Sequence, residues 1–87
     1  MTKSHLIIDV REPNEYKAGH IKSAINIPLN QLIFSKNKLA VVAKDTPIIL
    51  YCRSGGRSKI AIQMLKTKGF TNLTNGINTE NVLKMLA

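Results

Sequence analysis

An apolar run, Ile48-Ile49-Leu50-Tyr51, stops at Cys52, the only cysteine of the chain, and Arg53-Ser54-Gly55-Gly56-Arg57-Ser58 separates it from a helical pattern starting at Lys59. A short, unbroken apolar run between turn residues is the pattern of a strand buried on both faces. The segment is therefore a strand, a tight loop and a helix N-terminus, with a thiol at the mouth of the loop. Backbone N–H groups in such a loop can converge into an anion-binding nest, and the dipole of the following helix adds to it. Both effects favour the thiolate, which is the reactive form of cysteine. The sequence thus places a candidate nucleophile in a cradle suited to anions.

The same alternation of strand and helix runs along the rest of the chain. Leu6 to Val10 is another short apolar run, interrupted by Asp9. Pro13 suits a first helical position and Glu15 a first turn, so a short helix is expected from Pro13 to Ala18, with Gly19 as its C-terminal cap. A second strand is expected around Ala24-Ile25-Asn26-Ile27, closed by Pro28, which has no N–H for a ladder. Asn30 is placed to cap a helix from Gln31 to about Ala43, with Leu32, Ile33, Leu39, Val42 and Ala43 as its apolar face. Its middle, Ser35-Lys36-Asn37-Lys38, is weak enough for the helix to break in two. After Cys52 the helical stripe is Ile60, Ala61, Met64 and Leu65, with Lys66 and Lys68 near the negative end and Gly69 as cap. Phe70 to Thr74 reads as a strand and Asn75-Gly76 as a turn. Thr79-Glu80 opens a last helix expected to bury Val82, Leu83 and Leu86. Apolar strands alternating with helices predict an α/β fold with a parallel sheet covered on both faces. Active sites in such sheets lie beyond the carboxyl ends of the strands, where Cys52 falls.

Composition narrows the function classes. Eighty-seven residues predict one domain with a modest core. Hydrophobic content of 44% is too high for a disordered chain. No apolar stretch approaches the roughly 20 residues of a membrane span, and no signal-like segment precedes Leu6, so a cytoplasmic protein is expected, or a periplasmic one if a leader has been cleaved. A lone cysteine excludes an internal disulfide and a multi-cysteine zinc site. The net charge of +8 raises the question of nucleic acid, but the lysines are scattered and only four aromatic residues are present (two Tyr, two Phe). The basic surface is better matched to small anions or an acidic protein partner than to specific nucleic-acid binding. Nothing in the sequence points beyond a monomer.

Two stretches resemble a known family. Asp9-Val-Arg-Glu-Pro-Asn-Glu-Tyr-Lys-Ala-Gly-His-Ile21, followed by Ala24-Ile-Asn-Ile-Pro28, is similar to the N-terminal signature of rhodanese-like domains. Tyr51-Cys-Arg-Ser-Gly-Gly-Arg-Ser58 is similar to their active-site loop, and the compact size resembles the small sulfurtransferases of the phage-shock type. The resemblance implies a rhodanese-like three-layer sandwich, a small, mostly parallel sheet between helices. It also implies that Cys52 carries sulfane sulfur as a persulfide, taken from a donor such as thiosulfate and passed to cyanide or another thiophilic acceptor. Neither metal nor organic cofactor is implied. The chain departs from the family where many members have a Gly-Gly pair followed by tryptophan; here the stretch is Asn75-Gly76-Ile77-Asn78. With little room before Asp9 for the extra strand many members have, the sheet is expected to be one strand short or to expose an edge.

The candidate site residues follow. Cys52 is the nucleophile. Arg53 and Arg57 hold an anionic donor, although Arg57 could equally fix the loop by pairing with an acid. Ser54 and Ser58 bind backbone or cap the helix, and Gly55 and Gly56 supply positive φ and close approach to the anion. Asp9 needs a partner such as loop N–H groups or Arg11 if it is ionised in an apolar strand. Asp9, Arg11, Glu15 and His20 are read as structural neighbours of the site rather than as acid–base groups, because sulfite leaves without a general acid. Two other functions share this fold: a non-catalytic binding or regulatory module, and a phosphatase or arsenate reductase. The first commonly loses the cysteine, which is retained here. The second places five residues between cysteine and arginine, whereas four intervene between Cys52 and Arg57.

Overall fold

The structure is a computed structural model and describes residues 5–32 and 38–87. Four parallel strands form one sheet in the order β2-β1-β3-β4: β1 (Leu6–Asp9), β2 (Ile25–Asn26), β3 (Ile48–Tyr51) and β4 (Leu73–Ile77). Among the described residues β2 and β4 are the edges, and the two apolar runs lie side by side at the centre. The helices are α1 (Pro13–Ala18), α2 (Leu29–Leu32), α3 (Gly56–Thr67) and α4 (Thr79–Leu86), with a 3-10 turn over Lys38–Val41.

The alternation of side chains along the central strands divides the core in two. Ile8, Val10, Ile48, Leu50 and Cys52 face a layer containing Leu32, Leu39, Ala61, Leu65 and Phe70, which lies toward α2 and α3. Ile7, Ile49 and Tyr51 face Ile21, Ala24 and Val82, with Tyr16 packed alongside, toward α1 and α4. This is the expected α/β sandwich. Complete burial of β3 is why its sequence lacks the polar alternation of a half-exposed strand.

Several boundaries differ from those expected. The expected break at Ser35-Lys36-Asn37-Lys38 falls almost wholly outside the described residues; α2 starts at Leu29, where the Gln31 N–H donates to the Pro28 carbonyl, so Asn30 lies inside the helix, and Lys38–Val41 form a 3-10 turn. Ile33 to Asn37 lie outside the described residues. The second strand shortens to Ile25–Asn26. Helix α3 begins at Gly56 rather than Lys59, because Gly55 turns the chain through the left-handed region (φ 94°) and serves as its N-cap. At the far end Gly69 (φ 98°) donates to the Lys66 carbonyl and Phe70 to that of Leu65. These bonds make a Schellman cap that seats Phe70 against Leu65. Phe70 is therefore part of a helix stop, and β4 starts only at Leu73.

Asn75-Gly76 is not a turn. Both residues lie within β4, at an irregularity where Leu50 pairs with Asn75 but Tyr51 pairs with Ile77. Gly76 occupies the extra position, and a Cβ there would sit 2.5 Å from Val82 Cγ2 and 2.8 Å from Ile49 Cγ2. Helix α4 is capped by the Asn78 side chain, which accepts from the Asn81 N–H. It buries Val82, whereas Leu83 and Leu86 are exposed, because only one line of this short helix reaches the sheet. Ile60 is exposed on α3 as well.

Candidate active site

Cys52 follows β3 directly, and its N–H donates to the carbonyl of Ile77 at the end of β4 (3.1 Å). The residue is 2% exposed, at the floor of the loop. Its sulfur accepts from the Gly55 N–H at 3.1 Å, and the Ser58 hydroxyl lies 3.6 Å away. Burial pushes the thiol pKa up. The backbone N–H and hydroxyl of Ser58 and the N–H groups of Ser54 and Gly55 outweigh it, holding the thiol below its ordinary value at about 7. These donors therefore favour the thiolate, the reactive form of cysteine.

The loop geometry depends on Gly55. Its positive φ aims the N–H at the sulfur, and a Cβ at this position would sit 3.4 Å from Ile77 Cγ2. Gly56 differs from expectation: it lies in the first turn of α3 with open space around it, so positive φ is confined to Gly55 within the loop. Starting α3 at Gly56 brings Arg57 and Ser58 into the first turn, and Ser58 is wholly buried beneath the sulfur. Ser54 is exposed and contributes its backbone.

The two arginines play different parts. Arg57 donates from Nη1 to Glu15 Oε1 (2.8 Å) and from Nη2 to Oε2 (3.1 Å), a bidentate pair. Glu15 also accepts from the Glu12 N–H (3.0 Å), so one carboxylate caps α1 and anchors the loop. Arg57 first, then the Glu12 N–H, hold Glu15 at a pKa of about 2. Arg53 is 74% exposed and approaches Glu15 only to 3.9 Å, so its guanidinium is open to solvent at the rim.

Asp9, Arg11 and Tyr51 lie on the other face of the sheet from Cys52. Asp9 is fully buried and accepts from the Arg11 N–H (2.9 Å), from Nε (2.9 and 3.0 Å) and from Nη2 (2.6 Å). Arg11 also donates to the Gly19 carbonyl (2.7 Å). The Tyr51 hydroxyl accepts from the Ile21 N–H, and burial pushes its pKa up to about 12. His20 stacks on Tyr16 with ring centroids 3.6 Å apart, and its Nδ1 lies 2.8 Å from the Tyr16 carbonyl. Glu15 and His20 thus have separate structural partners.

Two residues absent from the sequence-based site meet the loop from β4. Asn75 contacts Ser58, Gly55 and Ile77 through its side chain. Ile77 has φ 73°, rare for a β-branched residue, and covers Gly55. No local signal marked them, because Asn75-Gly76 has the composition of a turn and β4 (Leu73–Ile77) lacks the apolar run of the central strands.

The sequence and the fold both have counterparts among known proteins. The rhodanese-like domain family matches residues 1–79, and the chain belongs to that family. It is 48% identical over 69 residues to the uncharacterized protein YqhL of Bacillus subtilis (strain 168), covering 79% of this chain and 52% of that protein. It is 35% identical over 83 residues to a putative mitochondrial thiosulfate sulfurtransferase of Schizosaccharomyces pombe (strain 972), covering 84% of this chain and 58% of that protein. The chain thus spans a little over half the length of these two curated relatives. A solved structure of a rhodanese with anions from E. coli superposes with a TM-score of 0.79 at 32% identity, covering 90% of this chain and 91% of that one.

Proposed function

We propose that the chain is a sulfurtransferase that moves sulfane sulfur from thiosulfate or a similar donor, through a Cys52 persulfide, to cyanide or a thiol acceptor. The observation that carries this reading is the sulfur of Cys52 lying within reach of loop N–H groups and the α3 N-terminus, with its pKa near 7. Family membership and a relative named as a putative thiosulfate sulfurtransferase support it.

The Cys52 thiolate attacks the outer sulfur of thiosulfate. A new S–S bond forms as the donor's S–S bond breaks, and sulfite leaves with the electron pair. In the second half the acceptor attacks the terminal sulfur, and the Cys52 thiolate leaves with the pair. No proton has to move at the reacting atoms, which fits a site where Glu15 and His20 have other partners. Covalent catalysis divides one transfer into two displacements, and the N–H groups stabilise the anionic sulfur in each. Arg53 meets the anionic donor at the rim, while Arg57, held by Glu15, contributes a fixed charge. The basic surface favours such a donor, and an acidic protein as acceptor.

The test is thiocyanate release from thiosulfate and cyanide by the wild type and Cys52→Ala. Turnover confined to the wild type supports the reading. No turnover in the folded wild type with any sulfane donor, combined with no sulfur adduct on its mass, would overturn it.

A further inference from the structure

The hydrogen bonds around Ser58 leave one proton with two competing destinations. Ser58 Oγ lies 2.6 Å from Asn75 Oδ1, 3.2 Å from the Gly55 carbonyl and 3.6 Å from Cys52 Sγ. The orientation of the Asn75 amide is fixed, because its Oδ1 accepts from the Ile77 N–H at 2.9 Å, a group that can only donate. The Asn75 Nδ2 then donates to the Gly55 carbonyl at 3.2 Å. That carbonyl also accepts from the Lys59 N–H at 3.0 Å, so both of its lone pairs are engaged. The acceptors left to compete for the Ser58 proton are Asn75 Oδ1 and the sulfur.

We propose that Asn75 is a positioning residue that governs Cys52 through Ser58, accepting the serine proton while the thiol is neutral and yielding it to the sulfur when the thiolate forms. With the thiol neutral, the short contact to Oδ1 takes the proton, and a lone pair of Ser58 Oγ faces the S–H. Ionisation turns the sulfur into a charged acceptor, which attracts the hydroxyl more strongly than an amide oxygen does. Ser58 then stabilises the thiolate only by giving up its bond to Asn75. Asn75 thereby limits how far Ser58 lowers the thiol pKa and keeps it close to neutrality, where the sulfur remains both a nucleophile and a leaving group.

The other charged groups near the sulfur are Arg57 on α3, Glu15 on α1 paired with it, and Arg53 in the loop. Asp9 and Arg11 on β1 and the segment after it, and the Tyr51 hydroxyl on β3, lie on the opposite face of the sheet. A change at Asn75 leaves all of these charges in place.

The proposal rests on Cys52 being the nucleophile, but its readout needs no sulfur donor. The pH dependence of Cys52 alkylation by iodoacetamide gives the thiol pKa in wild type, Asn75→Ala, Ser58→Ala and the double variant. Asn75→Ala is expected to lower the pKa by about 0.5–1, because the hydroxyl is released to the sulfur. Ser58→Ala is expected to raise it, and adding Asn75→Ala in that background to change nothing. If Asn75→Ala does not fold, Asn75→Leu is used, since it keeps the side-chain bulk and carries no acceptor for the Ser58 proton. A role limited to holding the loop predicts the opposite sign, because loosened N–H groups would let the pKa rise. A rise, or a shift of equal size with and without Ser58, would overturn the proposal. The expected cycle in a protein that forms no persulfide would uphold Asn75 while removing the sulfurtransferase reading.

Discussion

Cys52 and Asp9 are both buried polar groups at the carboxyl ends of adjacent central strands, on opposite faces of the sheet, and their surroundings differ in kind. Asp9 is enclosed by Arg11, which supplies a backbone N–H and a side-chain fork, with the Tyr51 hydroxyl also acting on the carboxylate, so its main partner is an opposite charge. Cys52 is held, among the described residues, by single N–H donors and a shared hydroxyl at its sulfur, with the Arg57 charge interacting with it electrostatically. Carboxylate and fork match each other's geometry, which holds the pair in one arrangement. A sulfur held by dipoles keeps its lone pairs available while its thiolate is favoured. The contrast separates scaffold from chemistry in a fold where residue type alone would not.

Removing the scaffold charge is expected to have the larger effect on stability. Asp9→Ala leaves the Arg11 guanidinium without its counter-charge and is expected to cost about 3–5 kcal/mol in urea unfolding. The double variant Asp9→Ala/Arg11→Leu is expected to recover part of that loss. A double variant no more stable than the single one would show that the pairing is not what Asp9 contributes.

Gly76→Ala comes next. The added methyl meets Val82 and Ile49 on the Asp9 face, and a cost of about 1–3 kcal/mol is expected. Its neighbour Asn75 serves the Cys52 face, so the thiol pKa of folded Gly76→Ala should stay within error of the wild type. A large change in that pKa would break the separation of the two faces.

The smallest effect concerns Glu15, which lies between them. Its pKa falls from 4.5 to about 2 on folding, because Arg57 and the Glu12 N–H favour the carboxylate. The resulting stability is fully present above about pH 4.5 and lost as the pH falls toward 2. Wild-type unfolding free energy should therefore decline across that window, and Glu15→Gln should decline less steeply. Identical acid limbs would show that the Glu15–Arg57 pair adds nothing, as is found for many partly exposed pairs.

These contrasts also explain what the sequence could and could not reveal. Strands β1 and β3 were legible because full burial leaves a continuous apolar run, and α1 because Pro13 and Gly19 bracket it. The start of α3 was hidden because Arg57 and Ser58 carry no helical signal, and only the backbone of Gly55 decides where the helix begins. Asn75-Gly76 has the composition of a turn, and its place inside β4 depends on Val82 and Ile49 leaving no room for a Cβ. The exposed Leu83 and Leu86 were misread because a helical stripe does not show how much of it reaches the sheet. At the site, the strand end and the loop from Cys52 to Ser58 were readable as local structure. The Arg57–Glu15 pair spans 42 residues and the Ser58–Asn75 contact 17, and neither could come from local pattern.

The most direct test of the central claim is the intact mass of the purified protein before and after thiosulfate, beside Cys52→Ala. The account predicts a species heavier by one sulfur atom in the wild type alone, removed by cyanide as thiocyanate appears. A folded wild type with a free thiol and an unchanged mass, or an adduct that persists in Cys52→Ala, would contradict it.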